Sequence, residues 1–137
     1  MRFTHGADYG IFGGPGAPMI EVEVAAVTSQ GVLRGQSIQT TVLVDSGAEY
    51  TLLDRRWIRP LGLHEWEGVT SEMDGVGGGK VNGRLIKVLM GLSGGWLSVP
   101  VIFCDNPKPA LLGREGAFEA LWIAFLHGER RLLAAVA

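Results

Sequence analysis

Asp45 is the residue of this sequence best placed for chemistry. It follows an apolar run, Val42-Leu43-Val44, and precedes Ser46-Gly47-Ala48. A carboxylate carried into a protein interior is costly unless it is paired, hydrogen-bonded or protonated. The same environments shift its acidity, so such a group can take a proton from water or, once protonated, give one up. Gly47 lets the backbone turn sharply just beyond the acid.

Other candidates carry less. His5, His64 and His127 are scattered, without ligand spacing and with no cysteine at short range, so no metal and no cofactor is expected. Counting residues leaves a Ser-His-Asp set open, but the Gly-x-Ser-x-Gly elbow is absent. Cys104, in Val101-Ile102-Phe103-Cys104, reads as a buried strand residue with no mate for an intrachain disulfide. Met73 to Lys80 is rich in glycine, yet it lacks a Gly-Lys-Ser/Thr ending and starts no helical pattern, which excludes a phosphate loop. A formal net charge of -2 with no clustered basic face gives no footprint for nucleic acid. Arg55, Arg56 and Arg59 fit the wet side of a short helix.

The elements that must position Asp45 are short strands. A chain of 137 residues has room for one domain. Its 21 glycines gather in patches without a three-residue period, as in a β-rich fold with tight turns and a mobile loop. Ile20, Val22 and Val24 alternate with Glu21 and Glu23, a strand with one wet face. A second strand runs from Ile38 to Val44 and turns almost wholly apolar before Asp45. Tyr50 to Leu53 is again extended, and Asp54 can cap a short helix through Ile58. Strands are expected at Arg84 to Met90 and Leu97 to Phe103. Ala117, Phe118, Ala120 and Leu121 fall at helical spacing, with Glu115 near the positive end of that helix. The tail suits a hairpin, Trp122 to Leu126 and Arg131 to Val136. No apolar run approaches the ~20 residues of a membrane span, and no secretory signal pattern opens the chain, so a cytoplasmic location is the expectation.

Val42-Leu43-Val44-Asp45-Ser46-Gly47-Ala48, followed by Tyr50-Thr51-Leu52-Leu53, resembles the active-site segment of the retropepsins, the single-domain aspartic peptidases. Met73-Asp74-Gly75-Val76-Gly77-Gly78-Gly79 resembles the glycine-rich flap of that family, and Leu111-Leu112-Gly113-Arg114 its hydrophobic-hydrophobic-Gly-Arg signature. The three landmarks stand in the family's order, and the match in outline covers Ile20 to Leu121. The resemblance implies a mainly β, retropepsin-like half-barrel with a flap hairpin and one C-terminal helix. By position it makes Asp45 the catalytic acid, Ser46 the hydroxyl that braces it across a dimer axis, and Gly47 a carbonyl for substrate backbone. Ala48, Glu49 and Tyr50 would line the cleft. Glu49 and Arg114 would form an ion pair, with Arg114 structural. Val76, between Gly75 and Gly77, would be the apolar tip of a flap that closes over an extended polypeptide.

The chemistry of peptide hydrolysis agrees. Without a metal or covalent nucleophile it needs an acid and a base, and two adjacent carboxylates supply both because they cannot both ionise comfortably. Such a pair titrates as a unit. Asp8, Asp54, Asp74 and Asp105 lack the setting of Asp45, and there is no internal repeat. The second carboxylate is therefore expected from a second copy, across a two-fold axis. A peptidase that works as a homodimer is the expected function; the alternative is a retropepsin-like module that binds peptides without cutting them. Two departures stand out. Asp74 is charged where viral members usually carry glycine, and either selects basic substrate side chains or is simply solvated. The tail also outruns the viral pattern, which leaves the segments of the dimer interface open. Residues 1–18 are expected as a flexible or extended arm, and residues 19–137 as the peptidase domain.

Overall fold

The computed structural model describes residues 5–8, 17–74, 79–92, 95–126 and 131–136. Ten strands carry most of them: β1 (His5–Asp8), β2 (Met19–Ala25), β3 (Ile38–Val44), β4 (Thr51–Asp54), β5 (Val69–Asp74), β6 (Lys80–Leu92), β7 (Gly95–Cys104), β8 (Leu111–Leu112), β9 (Leu121–Leu126) and β10 (Arg131–Val136). The chain is mainly β, as expected. A seven-stranded sheet has the order β2-β3-β8-β4-β7-β6-β5, and β2 also pairs with β6, so the sheet closes on itself and leaves β5 outside the ring. A smaller sheet, β1-β10-β9, joins the two ends of the chain.

Alternation explains why these segments pair as they do. Ile20, Val22 and Val24 point into the ring and are buried, while Glu21 is exposed and Glu23 half-exposed. On β3, Ile38, Val42 and Val44 join the same core. A one-residue slip would send every one of these side chains to the wrong face, so burial fixes the register. The β6–β7 hairpin is long, pairing Gly83 with Cys104 at one end and Leu92 with Gly95 at the other. Its inner residues Val88, Met90, Val99, Val101 and Phe103 complete the core. Phe103 is wholly buried, and burial of a side chain that size contributes roughly 1.5–3 kcal/mol.

Asp54 does cap a short helical turn, Arg55–Trp57, by accepting a hydrogen bond from Arg56 N. The C-terminal helix is present but short, confined to Arg114–Phe118. Gly116 adopts φ 73° and Glu115 an extended ψ of 123° inside it. A side chain on Gly116 would also strike Pro100 at 2.8 Å. The apolar spacing of Ala117, Ala120 and Leu121 therefore marks contact with the core at the start of β9, not further helical turns. Within the segment 1–18, His5–Asp8 pairs with Arg131–Ala134 of β10. No helix among the described residues is long and apolar enough to cross a membrane.

Candidate active site

Asp45 sits one residue past β3, in a turn assembled from three separate stretches of chain. β8 runs parallel to β3, with Val44 opposite Leu112, and antiparallel to β4, with Leu52 opposite Leu111. The strand that enters the Asp45 turn and the strand that leaves it are thus separated by β8. Asp45 N donates to Leu112 O at 3.0 Å, and Val44 N donates to Pro18 O at 2.9 Å. The acid is pinned from behind through its backbone, and this leaves its side chain free for other partners.

Residues 113–115, just beyond β8, fasten the other half of the turn. Gly113 N donates to Thr51 Oγ1 at 3.1 Å, across 62 residues of sequence. Thr51 is fully buried, and that bond gives its hydroxyl a partner. Arg114 N donates to Ala48 O at 2.9 Å and Glu115 N to Glu49 O at 2.8 Å. The Arg114 guanidinium then reaches back, with Nη1 donating to Ser46 O at 2.8 Å. Gly113 permits this approach: a Cβ there would lie 2.4 Å from the Tyr50 carbonyl carbon. The Leu-Leu-Gly-Arg sequence thereby acquires local reasons. Leu112 supplies a core side chain and a carbonyl, Gly113 supplies space, and Arg114 supplies a cationic clasp.

The Asp45 side chain is half-buried, and its Oδ1 accepts one hydrogen bond, from Gly47 N at 2.8 Å. No cation pairs with it among the described residues. Gly47 lies in the turn that follows Asp45, with φ outside the left-handed region, and a Cβ there would sit 3.2 Å from Asp45 Oδ1. The expected Glu49–Arg114 ion pair is not formed, because the guanidinium is turned to the Ser46 carbonyl. The link between these two segments is instead a backbone one, from Glu115 N to Glu49 O.

Ser46 and Glu49 are exposed beside Asp45, Tyr50 is half-buried, and Ala48 is buried under the turn. Gly75, Val76 and Gly77 lie outside the described residues. Asp74 ends β5, opposite Lys80 of β6, so the hairpin expected to carry the flap has its base in place. Two residues of the quoted motifs, Thr51 and Gly113, have supporting roles that the sequence pattern did not assign. A buried hydroxyl in an otherwise apolar strand was the available signal for the first. For the second it was a glycine between a core leucine and an arginine.

A cavity of about 680 Å³ opens at the other end of β4, between Thr40, Asp54, Arg56, Trp57 and the 106–110 loop. None of the predicted site residues lines it. Its rim charges partly offset each other, since Arg56 lies 3.8 Å from Asp54. Among the described residues no cluster of His, Cys, Asp and Glu could hold a metal ion.

No family model matches the chain, and no curated protein matches it in sequence. Among solved structures it is similar to the EIAV protease in complex with the inhibitor HBY-793. That similarity has 20% identity and a TM-score of 0.49, over 76% of this chain and 88% of the other.

Proposed function

We propose that this chain is an aspartic endopeptidase that acts as a homodimer, with Asp45 of each copy forming the catalytic pair. The observation that carries the reading is the hold on Asp45. Its backbone is fixed by Leu112, and its carboxylate is half-buried with a single amide N–H and no cation as partners. A carboxylate so placed is positioned but not neutralised, as an acid or base must be.

In the dimer the two carboxylates share one proton. The ionised one takes a proton from water as the water oxygen attacks the peptide carbonyl carbon. The protonated one gives its proton to the substrate, and the C–N bond breaks as the amine leaves protonated. Ser46 stands beside Asp45 and would brace the pair across the axis. The substrate is an extended polypeptide, and the hairpin of β5 and β6 forms the wall above it.

The test is cleavage of a peptide library between pH ~4 and 7 by the parent and by Asp45→Ala, with sedimentation run in parallel. Activity is expected to vanish in the variant and to rise with the dimer fraction. Equal cleavage by both proteins would sink the peptidase reading. Peptide binding without cleavage by the parent would leave only a binding module.

A further inference from the structure

The far end of the ring carries a feature that the Asp45 site does not use. The turn closed by Thr28 N to Val32 O, and by the Val27–Leu33 bridge, stands beside the β6–β7 hairpin. Between them lies a groove of about 390 Å³ walled by Ala25, Val27, Leu33, Leu89 and Trp96, with Glu23 at its rim. Leu33 is 50% exposed, Trp96 49% and Val27 36%, so this apolar surface is open to solvent. The Trp96 ring packs against Gly91, where a Cβ would meet it at 3.1 Å. A half-exposed tryptophan beside exposed aliphatic side chains is the composition of a binding anchor.

Charge says what kind of partner fits. No basic residue walls the groove. Glu21 and Glu23 occupy alternate positions of β2, on its outward face, and lead to the groove as an acidic track. Neither has an ion-pair partner among the described residues. An occupant that brings an apolar side chain and adjacent positive charge satisfies both parts at once.

Position separates the groove from the proposed dimer axis. Met19 pairs with Leu43 beside Asp45, and Ala25 lies six residues further along β2. At about 3.3 Å per residue, that is roughly 20 Å from the acid. A contact centred on paired Asp45 residues is thus centred well away from this groove.

We propose that the groove and the acidic track form a docking site for a polypeptide segment in which bulky apolar residues are flanked by lysine or arginine. The site is an exosite if the peptidase reading holds, but it needs no catalysis. The test therefore uses full-length protein carrying Asp45→Asn, which leaves the probe uncut and separates this proposal from that one. The probes are two blocked decapeptides with a central Leu-Phe pair, one flanked by two lysines and the other by two glutamates. Binding is followed by amide and indole chemical shifts. The lysine peptide should perturb Ala25, Leu33 and the Trp96 indole and bind about tenfold tighter than its acidic counterpart, a difference of about 1.4 kcal/mol. Leu33→Ser should weaken it about tenfold, and Glu23→Gln should cut the preference to about threefold or less. The proposal is overturned if neither peptide shifts these resonances at millimolar concentration, or if the preference survives Glu23→Gln intact. Concentration-dependent shifts of the same resonances without any peptide would overturn it too, since the occupant would then be a second copy.

Discussion

Glu67 and Asp45 are both partly buried carboxylates, and the protein treats them in opposite ways. Glu67 faces Arg34 in a two-point contact, with Arg34 Nη1 donating to Oε2 at 2.9 Å and Nη2 to Oε1. His64 N adds a longer bond to Oε1. The Arg34 hydrogen bond holds the Glu67 carboxyl below its ordinary range, against the opposing effect of burial. Arg84 fixes the surrounding backbone by donating to the carbonyls of Trp66, Glu67 and Gly68 and to Thr70 Oγ1. Around Asp45 the arginine is engaged by a carbonyl, and the carboxylate receives one amide. Full compensation makes an acid into a strut. At Asp45 the backbone is held while the carboxylate keeps a single amide partner.

The sharpest way to break this contrast is to remove each carboxylate in turn. Asp45→Asn should lower peptidase activity by about 10³-fold or more while leaving the melting temperature within about 2 °C of the parent. A large loss of stability instead would make Asp45 a second strut. Next in size is Gly113→Ala, which forces a methyl group against the Tyr50 carbonyl. It should cost about 3 kcal/mol or more in chemical denaturation, and activity should fall with it because the Asp45 turn loses its fastening. Full retention of stability would mean that the turn can yield.

Glu67→Gln should cost about 1 kcal/mol at neutral pH, as expected for a partly exposed ion pair. Its pH dependence is the stricter check. A carboxyl whose folded pKa is depressed contributes stability above its unfolded value of about 4.3 and loses it as pH falls through the folded value. The parent should therefore outlast Glu67→Gln at pH ~6, with the gap closing as pH falls below ~4. A gap that widened in acid would reverse the assignment. Smallest of all is the effect at Cys104, whose thiol is pushed up chiefly by burial. It should react with alkylating agents only at the rate of unfolding, and prompt labelling of the native protein would contradict the packing around it.

Much of this fold was legible in the chain. Two-residue alternation located β2, and the apolar end of β3 located the turn with Asp45. A single glycine, Gly128, separated the strands of the tail hairpin, although the helix before it proved shorter because Gly116 breaks it. Less legible were features set by distant contact. Leu111-Leu112 is too short to announce itself as a strand, and only its place between β3 and β4 makes it one. Gly35 and Gly62 meet across distant sequence, where a Cβ on each would strike the other's backbone at 2.5–2.7 Å. Trp66 is 74% exposed and stacks on His64, a pairing set by the fold of that loop. Arg114 faces a carbonyl and not the expected carboxylate, a choice that geometry alone makes.

The insertion of β8 between β3 and β4 also sets an order of events during synthesis. The chain can form the β6–β7 hairpin from near neighbours, but the Asp45 turn lacks the hydrogen bonds from residues 112–115 until that segment arrives. Contacts of such long separation close late and slowly. A chain interrupted before Leu112 would hold most of its strands and still lack an organised acid. The setting of Asp45 would thus stay unfinished until a stretch of chain far from it in sequence has joined the sheet.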